Sequence, residues 1–351
     1  MKKDLMEMIR CLSCGGKFDL EVDFQEIEIK KGKLKCKTCS SLYQIIDGIV
    51  VLLNNEVIDE SKKKEIEGWS SRRQGTEKSL ESNNEKVDDM KKEDLSSIDY
   101  LLSLPYINKN SIPSWVSQTE IKYWEKVSSC FDICLKKLNL NENLKILEVG
   151  AGSGWACGYF SKLGCYAIAN DICFDNLTDA IHFVEMTDSY FERVVGDAED
   201  LPFEDELFDV VFACATLHHS SNPTSLVREL KRVLRKGGVI FIINEPLRPI
   251  TRKENDLLAN NEEKKLGINE HIFSYFEYKK AFLRNMMPSK IFLEEFESKS
   301  SFEGMVNWIK SEDGFKYRVC NLMFKKELKP ILELFWMLFL GGNLNIYAKK
   351  I

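Results

Sequence analysis

The alternation of apolar and polar positions divides the chain into three unlike stretches. In the first, Val22, Phe24, Ile27 and Ile29 alternate with charged residues, the period of a half-buried hairpin with Lys31 and Gly32 at its turn, and an apolar run follows to about residue 53. From 54 to 99 that periodicity dissolves into charge (DESKKKEIE, SNNEKVDDMKKEDL), predicting an exposed linker that is helical in part. Trp69, the one aromatic in it, is expected to dock on a neighbouring domain rather than on a ligand. Beyond Ser117 and Glu120, a capping-box pair, Ile121, Trp124, Val127, Phe131, Cys134, Leu135 and Leu138 recur at helical spacing and predict a helix lying on a sheet. Short apolar runs then alternate with helical patterns: KILEVG, CYAIAND, ERVVGD, FDVVFACAT and VIFIINEP as strands, with helices after the glycine turn AGSGWACG, over 176–186 and from Pro223 to the stop at Gly237 and Gly238. Five such repeats in roughly a hundred residues predict an α/β, doubly wound, mostly parallel sheet with its ligand site at the carboxyl ends of the strands. KIFLEEFE and GGNLNIYAKK supply two further strands, seven in all, separated by a helical insertion over 302–340 whose run ILELFWMLFL reads as a buried helix.

Composition narrows this picture. Among 351 residues, 44% are apolar and 30% charged, with 49 Lys and Arg against 55 Asp and Glu, so the chain folds and lacks the uniformly basic surface of a dedicated duplex binder. The segment MKKDLMEMIR has no apolar core of a signal peptide, and the greasy run at 331–340 is too short to span a bilayer; a cytoplasmic protein is expected. Eleven cysteines without a secretory signal argue for metal ligation or buried thiols rather than disulfides.

Four of those cysteines, Cys11, Cys14, Cys36 and Cys39, form two C-x-x-C pairs around a twenty-one-residue excursion. Two such knuckles converge to close a tetrahedral zinc site with no open position, which makes the zinc structural and residues 1–53 a small β-rich zinc ribbon. CLSCGG followed by LKCKTCSSLYQIIDGIVVLL resembles the small zinc-ribbon subunit that activates tRNA and translation-factor methyltransferases.

The glycine turn itself discriminates between cofactors. A dinucleotide fingerprint counted from Gly150 requires glycine at 155, where the chain has Trp155; Glu148, Gly150, Gly152 and Gly154 instead make E-x-G-x-G-x-G, suited to a donor without phosphates. Asp171, ending the second strand, is placed for ribose hydroxyls, and Asp197 with Ala198, ending the third, for an adenine amino group. LEVGAGSG, AND, GDAEDLPF, FDVVFACATLHH and LVRELKRVLRKGGVIFI together resemble the class I methyltransferase family, Rossmann-like in fold, over residues 115–246. The resemblance implies S-adenosylmethionine as cofactor, with Glu148, Gly150, Gly152 and Gly154 at its methionine portion, Asp171 at the ribose, and Asp197 and Ala198 at the adenine. Methyl transfer needs alignment above all, and His218 or His219, directly after the fourth strand, could take the acceptor's proton. Glu245, and His271 with Glu270, are lesser candidates for substrate contacts.

The domains expected are thus a ribbon at 1–53, a charged linker at 54–114 and a methyltransferase domain at 115–351 with a variable substrate region at 247–340. A hydroxyl or other heteroatom of a small molecule or sugar is the favoured acceptor. The competing readings are an RNA or protein methyltransferase that uses the ribbon for recognition, as in a ribosomal-RNA guanine methyltransferase that also begins with zinc cysteines, and a non-catalytic cofactor-binding partner subunit.

Overall fold

The computed structural model describes residues 1–22, 28–53, 58–81, 98–110, 112–114, 116–138, 140–187, 189–297 and 328–351. Its eleven strands form one sheet in the order β1-β2-β3-β4-β7-β6-β5-β8-β9-β11-β10. Seven belong to the α/β portion: β5 (Lys145–Val149), β6 (Tyr166–Asp171), β7 (Glu192–Val195), β8 (Phe208–Cys214), β9 (Leu234–Leu247), β10 (Ser289–Leu293) and β11 (Gly342–Lys349). The first five run parallel and β11 lies antiparallel between β9 and β10. Val149, Val211 and Ile242 are wholly buried because helices cover both faces, which is why these strands read as continuous apolar runs.

The helices that matter for the site are α1 (Glu60–Glu81), α2 (Gln118–Leu138), α3 (Trp155–Lys162), α4 (Phe174–Thr178), α5 (Ala180–Met186), α6 (Pro223–Val233), α7 (Tyr275–Arg284) and α8 (Lys329–Phe339). On one face Phe131 of α2 meets the rings of Trp155, Phe160 and Phe212 at 5.1, 5.5 and 5.7 Å. On the other, Leu226, Val227, Leu230 and Val233 of α6 share a core with Tyr278, Ala281 and Phe282 of α7. Where one helix was expected over 176–186, the chain makes two short ones that meet at Asp179.

The ribbon strands are β1 (Phe18–Glu21), β2 (Gly32–Cys36), β3 (Leu42–Ile46) and β4 (Ile49–Val51). β1 pairs antiparallel with β2, Glu21 opposite Lys33, so Gly32 opens β2 instead of forming the turn, and Phe24 and Ile27 lie outside the described residues. The ribbon is not a separate bead. β4 pairs parallel with β7, Ile49 to Val51 against Arg193 to Val195, and Leu52 N donates to Val195 O at 2.9 Å. Arg10 N donates to Pro202 O at 3.0 Å, and Leu5, Ile9, Val50 and Leu52 are buried in one core with Val194, Leu201 and Phe203.

Two expectations change here. The segment expected to be an exposed linker is, in its first part, the helix α1 lying across the carboxyl ends of the strands, with Glu65 buried and Lys62 nearly so. Its charges are neutralised by residues far along the chain, as described below. The apolar run of α8 was expected to be buried, but only Leu332 and Met337 are, while Ile331, Phe335 and Leu340 face solvent among the described residues; 302–327 of the insertion lie outside them.

Candidate active site

A pocket opens where β5, β6, β7 and β8 end, and Gly150, Gly152, Asp171, Asp197, Ala198, Thr216 and His219 line its floor and walls. Lys62, Glu65 and Trp69 of α1 roof it. Gly150 sits at φ +65°, and a Cβ there would fall 2.5 Å from Thr216 Cγ2, so the chain can pass this close to the loop after β8 only as glycine. Gly154 serves packing: its missing Cβ leaves room for the Phe191 ring, and it does not line the pocket.

Asp171 ties the glycine loop to the end of β6. Its Oδ2 accepts from Gly152 N at 2.9 Å, and its Oδ1 from Cys173 N at 2.9 Å and Asn176 Nδ2 at 3.2 Å. Burial raises its pKa above the ordinary carboxylate value despite these donors. Asp197 accepts from Glu199 N at 2.9 Å and lies 3.3 Å from Lys62 Nζ, which also reaches Glu199 at 3.2 Å and Glu65 at 3.4 Å. Burial disfavours the Lys62 charge, but these carboxylates outweigh it and hold its pKa above the ordinary value. Glu148 is not in the pocket. It is buried beneath the glycine loop and accepts from Cys157 N of α3 at 2.8 Å; burial pushes its pKa up to about 8.

That shift predicts a pH dependence. A carboxyl whose folded pKa is raised costs stability as pH climbs past its unfolded value near 4.5, and the cost is complete above about 8, on the order of a few kcal/mol. Glu148→Gln keeps the acceptor for Cys157 and removes the titration, so melting temperatures of wild type and variant should converge near pH 5 and separate by pH 8.5 in the variant's favour. Parallel curves across that range would place the group elsewhere in the balance.

At the other end of the pocket, residues 217–219 form a short 3-10 turn that sends adjacent histidines to different partners. His218 is buried, its Nδ1 2.9 Å from Glu245 Oε2. His219 lines the pocket, its Nδ1 2.8 Å from Asn269 O and 3.1 Å from Glu270 Oε1, with the Trp69 ring edge-on at 5.2 Å. Burial opposes a charge on His219, yet Glu270 and the Asn269 carbonyl together raise its pKa. Glu245, wholly buried at the end of β9, also accepts from Thr216 N and Leu217 N at 2.6 and 2.7 Å. It therefore shapes the loop after β8 instead of contacting a ligand. His271 stands apart, its Nδ1 3.0 Å from Glu254 and its ring stacked on Phe273.

In the ribbon, the Sγ atoms of Cys11 and Cys39 are 3.6 Å apart, those of Cys14 and Cys36 3.4 Å, and all four lie within 4.8 Å of one another. A tetrahedron with Zn–S bonds of ~2.3 Å has edges of about 3.8 Å, so the four sulfurs fit a zinc ion with little movement.

Comparison with known proteins agrees with this geometry. Residues 147–242 match the family model described as a methyltransferase domain, and residues 2–48 that of a Trm112p-like protein. The chain carries a methyltransferase domain. In front of that methyltransferase domain stands a Trm112p-like module, and the two share one sheet. The chain is 30% identical to a glycine/sarcosine/dimethylglycine N-methyltransferase of Actinopolyspora halophila over 34% of its own length and 22% of the relative's. It is 26% identical to a malonyl-[acyl-carrier protein] O-methyltransferase of Buchnera aphidicola over 58% and 79%. The chain thus spans under a quarter of the first of these and about four-fifths of the second, and less than half of a demethylmenaquinone methyltransferase of Clavibacter sepedonicus. A solved complex containing the Haloferax volcanii Trm112 methyltransferase activator aligns at 17% identity, over 67% of this chain and 96% of that one, with a TM-score of 0.42.

Of the residues expected at the methyltransferase site, the structure brings Gly150, Gly152, Asp171, Asp197, Ala198 and His219 to one pocket. It leaves Glu148, Gly154, His218, Glu245 and His271 off its lining. Lys62, Glu65 and Thr216 went unnoticed in the sequence; Trp69, isolated in a polar run, was the signal for the roof and was assigned to domain packing, and Glu270, noted beside His271 as a substrate-contact candidate, lies 3.1 Å from His219 Nδ1.

Proposed function

We propose that the chain is an S-adenosylmethionine-dependent methyltransferase acting on a hydroxyl, or another heteroatom, of a small molecule or sugar. The reading is carried by the roofed pocket: Lys62, Glu65 and Trp69 of α1 line it over the carboxyl ends of the strands, and the Trp69 ring stands edge-on to His219 at 5.2 Å. A roof over the strand ends suits an acceptor small enough to enter beneath it and be shielded from water. Bound S-adenosylmethionine supplies an electrophilic methyl group on a sulfonium. The chain's own part is alignment: Gly150 and Gly152 admit the methionine portion, the Asp171 carboxylate takes the ribose hydroxyls, and Asp197 with Ala198 meets the adenine. His219 faces the acceptor, and His218 stands behind it on Glu245. The four cysteines hold structural zinc, which suits a reducing compartment such as the cytoplasm.

An RNA or protein acceptor is the second reading, and what favours it is the Trm112p-like match over residues 2–48. The methyl donor is tested first. Calorimetry should show S-adenosylmethionine binding, weakened by ~1–3 kcal/mol in Asp171→Ala because buried ribose hydroxyls lose a charged acceptor; binding of NAD in its place would overturn the cofactor. For the acceptor, S-adenosylhomocysteine should accumulate with hydroxylated small molecules and not with transfer or ribosomal RNA. The reverse pattern would move the assignment to RNA.

A further inference from the structure

We propose that His218, His219 and Glu270 form a second metal site, separate from the four cysteines, which takes a divalent transition cation at the acceptor end of the methyltransferase pocket. One ligating atom from each of the three lies within 4.8 Å of the others. Clustering alone is weak, but two further features point to a cation.

The first is ring orientation. Glu245 accepts three backbone N–H groups and, at 2.9 Å, faces Nδ1 of His218; as an acceptor it draws the ring hydrogen to Nδ1 and leaves Nε2 with its lone pair. That Nε2 is 3.9 Å from Glu270 Oε1. His219 is arranged likewise, its Nδ1 directed to the Asn269 carbonyl at 2.8 Å. A carboxylate or carbonyl behind each imidazole is the outer-shell arrangement that presents histidine to a metal.

The second is the state of Glu270. Its carboxylate is buried, yet because the Nδ1 hydrogen of His219 goes to Asn269, Glu270 Oε1 is left without a hydrogen bond among the described residues. Its nearest basic neighbours are the imidazoles themselves, His219 Nδ1 at 3.1 Å and His218 Nε2 at 3.9 Å, which are positive only when protonated; a cation shared with the two histidines supplies a permanent charge. Glu263, held by Arg72, is a second carboxylate beside Glu270. Two imidazoles and one carboxylate favour zinc, iron or cobalt over magnesium or calcium, and three protein ligands leave positions open. Those positions adjoin the pocket that His219 lines. On the methyltransferase reading proposed above, they would receive oxygens of the acceptor.

The test uses the full chain with its four-cysteine site already loaded with zinc, titrated with Co²⁺ alone and followed by calorimetry, absorption and metal content. Wild type should bind one further equivalent whose spectrum lacks thiolate-to-metal charge transfer. Glu270→Gln and His219→Gln should each bind it ~10–100-fold more weakly while keeping the ribbon zinc, which also reports that they are folded. A wild-type chain that takes no second equivalent, leaving His219 and Glu270 as a plain imidazolium–carboxylate pair, overturns the site, as does Glu270→Gln binding like wild type. S-adenosylmethionine binding on the same wild-type sample tests the methyltransferase reading separately: a chain that binds the donor and no second cation loses only the metal site.

Discussion

Replacing Cys36 and Cys39 by serine is expected to unfold the whole chain in one cooperative step rather than to release a module. A closed four-thiolate zinc site contributes folding free energy directly, ~10–16 kcal/mol in isolated zinc-finger peptides. Here that energy is coupled to the methyltransferase sheet. Cys36 ends β2, β2 pairs with β3, β3 with β4, and β4 supplies the outer partner of β7 over Val194 and Val195. Without the ribbon, β7 becomes an open edge and Phe203, Leu201 and Val194 lose the apolar cover of Leu5, Ile9, Val50 and Leu52. An uncovered edge strand beside an exposed apolar patch also leads to aggregation. Calorimetric melting of the zinc-loaded protein should show one transition, moved down as a unit by chelator or by the double substitution, with loss of solubility. Two transitions, only one of them sensitive to zinc, would mean that the β4–β7 joint transmits nothing.

The two modules were legible separately and their union was not. The C-x-x-C spacing, the glycine turn and the five-fold alternation of strand and helix are local patterns, each interpretable within a dozen residues. Pairing between Ile49–Val51 and the strand at Glu192–Val195 depends on residues some 140 positions apart, and the three-residue run IVV looks like the tail of a hairpin from sequence alone. The roof was missed for an electrostatic reason. Lys62 reads as a solvated charge because two of its partners, Asp197 and Glu199, lie far downstream, and Glu65 pairs with Lys62 in turn; once paired, Lys62 lays its aliphatic stem over the pocket. The same limit explains Glu148 and Glu245. Motif position marked both as ligand contacts, but a carboxylate at a strand end can equally turn inward to hold backbone N–H groups, and only three-dimensional placement separates the two.

Glu245→Ala should be the most damaging single substitution outside the ribbon, and its effect follows from what the carboxylate holds. The loop after β8 leaves its strand through Ala215, a non-glycine residue at φ +49°, and turns back on itself at Thr216 to His219. Glu245 fixes that conformation by accepting from Thr216 N, Leu217 N and His218 N, from the His218 ring and, at 3.3 Å, from Tyr278 OH. Burial works against its charge, yet His218 and the backbone donors more than offset this and keep its pKa below the ordinary value. Alanine removes an acceptor shared by five donors in a buried site, where each unsatisfied donor costs ~1–3 kcal/mol and water can re-enter to recover part of the loss. A net destabilisation of about 3–5 kcal/mol is expected, a large share of the ~5–15 kcal/mol of a typical fold. Because Ala215 and Thr216 line the pocket proposed for the methyl donor, S-adenosylmethionine affinity should fall in the same variant although Glu245 does not line it. Glu245→Gln, which keeps one acceptor oxygen but turns an N–H₂ toward donors, should lie between the two in both melting temperature and donor affinity. If Glu245→Ala melts within a degree of wild type and binds the donor unchanged, the loop is held by other contacts, and the carboxylate is free to be the substrate contact that its position at the end of β9 first suggested.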